Sequence, residues 1–268
     1  MLRAVLTVAM VLVAFAKGHS QDLVQKALDD PYFQWRSVEN ARSRVYYKEG
    51  SFAERHRHML LRSATSAIDV DLEFLGETVY EDVLNVFFVD TREEMERITG
   101  RPVSGYANWS ASGVFLVFAP DWRSFEKHEF AHIITMGGWG PPHASSAWMI
   151  EGICVAADGW CREFSVDEIA HHLLTRGQLP PLEQLPSKLA ELGEIRGGFY
   201  AASVIGFIRR QYGADAVRRL WTDGSANLPA TLGLSFDKIE IMWKEYLERV
   251  VGDGVQVDMG QIDESGCG

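Results

Sequence analysis

Two histidines and two glutamates in the middle of the chain have the residue types and spacing of a metal site. His128 and His132 are four positions apart, so on a helix their side chains lie one turn apart on the same face. Both imidazoles can therefore reach one cation. Glu129 follows His128 directly and lies at the adjacent edge of such a site, where a general base would act on a water molecule. Glu151, nineteen positions after His132, supplies a third ligand, and a catalytic zinc ion needs three protein ligands and one open position.

Two helices must position these side chains. Residues 124–127 and 133–136 flank the histidines and have helical character, whereas residues 137–142 are a Gly/Pro run that ends the helix. The next segment, Ser145–Ala157, is mostly apolar and contains Glu151 as a single acidic residue. A buried carboxylate is costly unless it is paired or bound to a metal. We therefore interpret Glu151 as a ligand; the alternative is a carboxylate at a solvated helix edge.

This pattern resembles that of a known enzyme family. His128-Glu129-x-x-His132, eighteen intervening residues, and Glu151 within W-x-x-E-G are similar to the gluzincin zinc metallopeptidases, in particular the aminopeptidase-N-like branch and the peptidase MA-like domains. The likeness covers about residues 40–250 and includes helical segments around 198–220 and 232–247. A metzincin is disfavoured, because that pattern needs Gly and His at the positions of Thr135 and Gly138.

The resemblance implies a set of ligands and a reaction. One Zn²⁺ ion would be held by His128, His132 and Glu151, and Glu129 would be the general base in the hydrolysis of a peptide bond. The substrate would be a peptide or protein. No sequence that captures a free substrate amine is recognisable, so endopeptidase activity is favoured over exopeptidase activity.

The group that stabilises the oxyanion is less well defined. In aminopeptidase-N-like enzymes a tyrosine at the start of an apolar helix has this role, and Tyr200, after Gly197-Gly198, is the matching candidate. The alternative is that Tyr200 is a packing residue. Tyr106 and His143 are weaker substitutes.

The chain departs from the thermolysin-like pattern at the residue that orients a zinc histidine. Those enzymes have an acidic residue four positions after the third ligand, where this chain has Val155. An orienting partner must come from elsewhere, and Asp158 is a candidate. His171 and His172 lie on an amphipathic stretch and are predicted to be surface residues.

Two other classes of function remain open. The chain could be a non-catalytic binding protein that keeps the fold and the metal, although Glu129 argues against this because such a protein needs no base. It could also be a zinc hydrolase of non-peptide amides or esters, since the same four residues support that chemistry.

The pattern of elements predicts an α+β fold of the zincin-like kind. Strands are expected at 44–47, 83–89, 105–109 and 114–118, and helices at 22–28, 52–75 and 91–99. Helices dominate from Trp122 onward, so a mixed sheet with helices precedes a mainly helical lobe with the zinc site between them. We expect one domain over 21–268: a sheet lobe at about 40–120, a helical lobe at about 121–250 and a loosely ordered tail at 251–268. By resemblance, the strand at 113–118 would be the sheet edge that binds substrate.

Net charge and the N-terminal composition limit the possible partners and cellular location of the protein. The net charge of −11 argues against nucleic acid and against anionic membrane surfaces as partners. Residues 1–20 have a basic start, an apolar run at 4–16 and a small-x-small site at 14–16, which predicts a secretory signal and a secreted or periplasmic protein without stable membrane insertion. An uncleaved anchor is the alternative. Export would permit a disulfide, with Cys154–Cys161 and Cys161–Cys267 as competing pairs.

Overall fold

A mixed five-stranded sheet forms the first half of the molecule. The structure, a computed structural model, describes residues 23–120 and 125–267. Within these residues the strand order is β1-β2-β3-β5-β4, with β2, β3 and β5 parallel and the two outer strands antiparallel to their neighbours. The strands are β1 (Trp35–Glu39), β2 (Ser43–Lys48), β3 (Leu84–Val89), β4 (Gly105–Asn108) and β5 (Gly113–Val117).

The two faces of the sheet are buried by different partners. Side chains alternate between the faces of a strand, and in β3 Val86 and Phe88 join the main core whereas Phe87 and Val89 join a second cluster. The second cluster is covered by α1 (Leu23–Asp29) and α3 (Arg92–Thr99), and the main core by α2 (Phe52–Leu75) and the helical half of the chain. Burial on both faces explains why β3 and β5 are nearly continuous apolar runs.

The second half is helical apart from a small hairpin. Helix α7 is interrupted at Gly193, which has a φ of 78°. The elements are α4 (Glu126–Gly138), α5 (Met149–Asp158), β6 (Trp160–Cys161), β7 (Phe164–Ser165), α6 (Val166–Thr175), α7 (Leu185–Tyr212), α8 (Ala214–Asp223), α9 (Leu228–Leu232), α10 (Phe236–Val251) and α11 (Met259–Ser265).

The α+β fold class is confirmed: a mixed sheet with helices precedes a mainly helical part. The helix predicted at 52–75 has those bounds in α2, because Ser51 caps its first turn and Gly76 ends it in the left-handed conformation. The hairpin predicted across 110–113 is formed by β4 and β5. Strand β1 was not predicted; its sequence carries no clear apolar alternation.

Two predictions about the ends of the fold are wrong. The strand at 113–117 is not the sheet edge, because β4 pairs along its outer side. Nor is the tail loosely ordered throughout: its residues 259–265 form α11, and Ile262 is fully buried against the helical half.

The disulfide alternatives are decided in favour of Cys161–Cys267, and Cys154 is a buried free thiol. The predicted signal at 1–20 and the residues 121–124 just before α4 lie outside the described residues. Within the described part, none of the helices combines the length and the apolar character needed to cross a bilayer.

Candidate metal centre

The two histidines lie on one face of α4, as their spacing predicted. Their ring centroids are 5.0 Å apart and the ring planes are nearly perpendicular. Helix α5 brings Glu151 to them: one carboxylate oxygen is 3.4 Å from His128 Nε2 and the other is 3.5 Å from His132 Nε2. The donor atoms of the three side chains all lie within 4.8 Å of one another.

The connection between α4 and α5 is held in place by residues far along the chain. Ser146 is fully buried, donates its hydroxyl to the Leu220 carbonyl at 2.5 Å and accepts from the Ser225 amide at 2.8 Å. Trp148 Nε1 donates to Ser225 Oγ at 2.9 Å, and Trp221 Nε1 donates to the Gly140 carbonyl at 2.9 Å. These bonds fix the return of the chain, and with it the distance from Glu151 to the histidines.

A glycine allows α5 to approach α7 directly behind the third ligand. A Cβ atom at Gly152 would lie 2.8 Å from the Ala201 Cβ and 2.7 Å from the Ile205 Cδ1. Any larger residue would push α5 away from α7. Because Gly152 follows Glu151, this close contact determines where the carboxylate lies.

A second glycine makes room for the proposed base. Glu129 is only 7% exposed, and a Cβ atom at Gly105 would lie 2.9 Å from its carboxyl carbon and closer still to one carboxylate oxygen. Gly105 is the first residue of β4, the outer strand of the sheet next to β5. Gly105 was not predicted as a site residue, since a lone glycine at a strand start carries no signal of such a role.

The donor set and its spacing fit a tetrahedral zinc ion. Zinc–nitrogen and zinc–oxygen bonds of about 2.0–2.2 Å in tetrahedral geometry place neighbouring donors about 3.4 Å apart. The two imidazole–carboxylate distances of 3.4 and 3.5 Å are close to this value, but they end on different oxygens of Glu151. Binding through a single oxygen therefore requires a small rotation of the carboxylate toward both histidines. The Glu151 side chain is 55% exposed, so solvent and a ligand can reach the triad from its side.

The charges of the cluster shift its pKa values in opposite directions. Burial lowers the pKa of both histidines. For His128, the hydrogen bond to Glu151 and the charges of Glu129 and Glu151 outweigh this and raise the pKa to about 9. The pKa of His132 falls to about 4, because burial and the His128 charge act together against Glu151.

The two carboxyl groups also differ from each other. Burial raises the pKa of Glu129 to about 7, against the lowering effect of His128. Burial would also raise the pKa of Glu151, but the two histidines lower it overall, and solvent at its exposed side screens part of that effect. A carboxyl with a pKa near neutrality can both accept and release a proton, as a general base requires.

The structure does not bring Tyr200 to the triad. Its side chain is fully buried, its ring packs on Trp243 with centroids 5.2 Å apart, and its hydroxyl donates to the Pro180 carbonyl at 3.0 Å. Burial raises its pKa further above the ordinary value. Tyr200 is a packing residue here, and its predicted role at the oxyanion receives no support.

The two substitutes for Tyr200 also lie elsewhere. Tyr106 follows Gly105 in β4 and therefore points to the opposite face of the sheet, where it packs on the second core cluster. His143 caps a short 3₁₀ turn at residues 144–146, where its Nδ1 accepts from the Ser145 amide at 3.2 Å.

Asp158 lies close to the centre, as its candidate role requires. Its carboxylate is 3.6 Å from Lys127 Nζ, which also donates to the Asp158 carbonyl at 2.6 Å. It lines a cavity together with His128, and its charge raises the pKa of that histidine. Val155, at the position where thermolysin-like enzymes have an acid, lines the same cavity.

The prediction that His171 and His172 are surface residues is wrong, because they are only 8% and 6% exposed.

In comparisons with known proteins, no family model matches the chain, and no curated protein matches it.

Proposed function

We propose that this chain is a zinc-dependent metallopeptidase that acts outside the cytoplasm. The observation that carries the proposal is the convergence of three donor atoms within 4.8 Å, from His128, His132 and Glu151, beside the buried carboxyl of Glu129. The sequence predicted the same four residues from their types, their spacing and the helical segments that carry them. They are contributed by two helices that are connected by a well-anchored loop.

The chain's own residues supply the acid–base part of the reaction. When bound, the zinc ion supplies Lewis acidity toward a substrate carbonyl and a water molecule. His128, His132 and Glu151 hold the cation and leave one position open. Glu129 accepts the proton of the attacking water and then delivers it to the leaving amine.

The position of β4 favours a peptide over other amides. Among the described residues, β4 pairs with β5 on one side only, so its other side can hydrogen-bond an extended peptide. Gly105 at the start of β4 contacts Glu129. A peptide added to this edge would therefore pass the base.

The extracytoplasmic location is supported by two features. Residues 1–20 have the composition of a secretory signal, and the Cys161–Cys267 disulfide is typical of an oxidising compartment. N-terminal sequencing of the protein recovered from outside the cytoplasm would test the signal directly.

Metal content and peptide turnover, measured together, test the proposal. We expect one zinc ion per chain and cleavage of members of a peptide library. Glu129→Gln should retain the metal and lose about 10²–10⁴-fold in turnover, the usual contribution of a general base.

Glu126→Gln is the matched control on the same helix. Its carboxylate accepts a hydrogen bond from Ser63 at 3.2 Å, which an amide oxygen can still accept, so turnover should be unchanged. Bound zinc without cleavage of any peptide would contradict the peptidase and favour the binding protein, whereas cleavage of non-peptide amides alone would favour the other hydrolase.

A further inference from the structure

One cavity beside the metal centre is closed by a distant part of the chain. It has a volume of about 260 Å³, and His128 and Glu129 contribute to its lining together with Gly266 and Cys267. We propose that Gly266 and Cys267, at the end of the segment 255–267 and held by the Cys161–Cys267 disulfide, form the wall that limits the size of the substrate side chain the site accepts. This inference rests on the proposed function.

The rest of the cavity lining suits an apolar side chain. Val155 of α5, Ile195 and Phe199 of α7, and Phe125 before α4 present apolar surface. The polar side is formed in part by Arg92, whose guanidinium donates to Ser104 at 3.0 Å. Asp158 also lines the cavity beside His128 and Glu129, so one side is charged. The apolar side chains form the larger part of the lining, where size and shape limit what enters.

The body of the segment is anchored away from the cavity. Ile262 is fully buried, and it packs with Val257 and Met259 in the cluster that contains Phe199. The Val257 amide donates to His172 Nδ1 at 3.2 Å. These contacts hold α11 against α6 and α7 without the disulfide.

The residues that line the cavity depend on fewer contacts. Arg162 Nε donates to the Gly266 carbonyl at 3.1 Å, and Cys267 is bonded to Cys161 in the β6–β7 hairpin. Without the disulfide, Gly266 and Cys267 lose their covalent link to the β6–β7 hairpin, while Ile262 stays buried. We expect Gly266 and Cys267 to become more mobile, so that the cavity widens beside the metal centre.

Replacing both cysteines tests the wall. We would compare the wild-type chain with Cys161→Ser/Cys267→Ser in three measurements: zinc content, the rate of zinc removal by dipicolinate, and kcat/KM for two peptides that differ only by Ala or Trp beside the scissile bond. We expect equal zinc content, severalfold faster zinc removal, and a severalfold higher Trp-to-Ala ratio of kcat/KM in the variant.

Arg176→Gln is the matched control for a loosened segment with an intact wall. Arg176 donates to Gln256 at 2.9 Å in an exposed contact outside the cavity lining. Its zinc removal rate and its Trp-to-Ala ratio should equal those of the wild-type chain. If Arg176→Gln changed both as much as the double variant does, the wall would not be the cause and the inference would be overturned.

The readouts separate this inference from the proposed function. Equal Trp-to-Ala ratios of kcat/KM in the wild-type chain and the double variant would overturn the wall and leave the peptidase standing. Bound zinc without any peptide cleavage would contradict the peptidase, and with it the size limit on its substrate. Absence of zinc from the wild-type chain would overturn both.

A second measurement covers a double variant that does not fold. The folded wild-type chain can be treated with a phosphine, which reduces the disulfide to two thiols and is itself oxidised to the phosphine oxide. After removal of the phosphine and alkylation of the thiols, the same two rates are measured. A higher Trp-to-Ala ratio of kcat/KM supports the wall, and an unchanged ratio with confirmed alkylation of Cys267 overturns it.

Discussion

Glu151 and Asp71 are both carboxylates on helices that pack in the main core, yet their surroundings differ completely. Glu151 lies between two imidazoles at 3.4 and 3.5 Å. Asp71 is fully buried on α2, and neither of its carboxylate oxygens has a hydrogen-bond partner among the described residues. A lone acid on an apolar surface therefore does not by itself identify a ligand; the facing residues decide. His172 is intermediate: its Nδ1 lies 3.2 Å from the Val257 amide and 3.4 Å from the Val255 carbonyl.

Removing the carboxylate of Glu151, which lies between two histidines, should have the largest effect, a loss of zinc affinity. We expect Glu151→Gln to weaken zinc binding by more than the roughly 10–100-fold that loss of an outer partner costs, because it removes a ligand. Competition against a fluorescent zinc chelator measures this. Asp71→Asn is the comparison variant, and zinc loss as large as that of Glu151→Gln would show that the two acids are not different in kind.

Displacing the carboxyl of Glu129 by a change at a neighbouring residue should have the next largest effect, a loss of turnover. In Gly105→Ala the added methyl would occupy the place of the Glu129 carboxyl, and a displacement of about 1 Å can cost about 100-fold in turnover. Zinc content should not change. Gly138→Ala on α4 is the control, because a Cβ atom there meets nothing within 4 Å; a full rate in Gly105→Ala would refute the geometry.

Asp71 should lower stability rather than support function. Burial raises its pKa well above the ordinary 3.8, against the lowering effect of Lys127. The folded chain therefore keeps this proton at pH values where the unfolded chain has lost it. The stability from this group is complete below about pH 3.8 and is lost as pH rises toward the folded-state pKa.

Asp71→Asn should remove the decrease in stability that accompanies rising pH. We expect the variant to be more stable than the wild-type chain by about 1–3 kcal/mol at pH 7, with a difference that shrinks toward pH 4. Urea unfolding at several pH values measures it. Asp69→Asn, an exposed residue of the same helix paired with Arg42, should change stability by less than about 1 kcal/mol. A destabilised Asp71→Asn would mean that the carboxylate has a partner.

The smallest effect should come from His172. Burial lowers its pKa below the ordinary 6.5, so the unfolded chain takes up a proton first as pH falls, and stability is lost below about pH 6.5. His172→Phe removes this part of the pH dependence and also the acceptor for the Val257 amide, which costs about 0.5–1.5 kcal/mol. Thermal unfolding of the wild-type chain and of His172→Phe at pH 5.5 and 7.5 measures this. An unchanged pH dependence of stability in the variant would show that His172 does not cause the loss at low pH.

The sequence was most informative where positions close in the chain act together. The four-residue spacing of His128 and His132 places them on one helix face whatever the rest of the fold does. The bounds of α2 follow from Ser51 and Gly76, which act within one turn of the helix ends. The prediction for Tyr200 failed because a helix start does not reveal which face meets which neighbour.

The sequence alone predicted the four residues of the proposed centre, four of the five strands of the main sheet, and the break between α4 and α5. Each of these depends mainly on residues that are close in the chain. Only the tertiary structure decided that Gly105 makes room for Glu129, that Ser146 and Ser225 fix the returning loop, and that Cys267 reaches the cavity. It also decided that Asp71 has no hydrogen-bond partner in the described part of the chain. Those contacts join segments far apart in the chain, and no local pattern of residue types encodes which distant surfaces will meet.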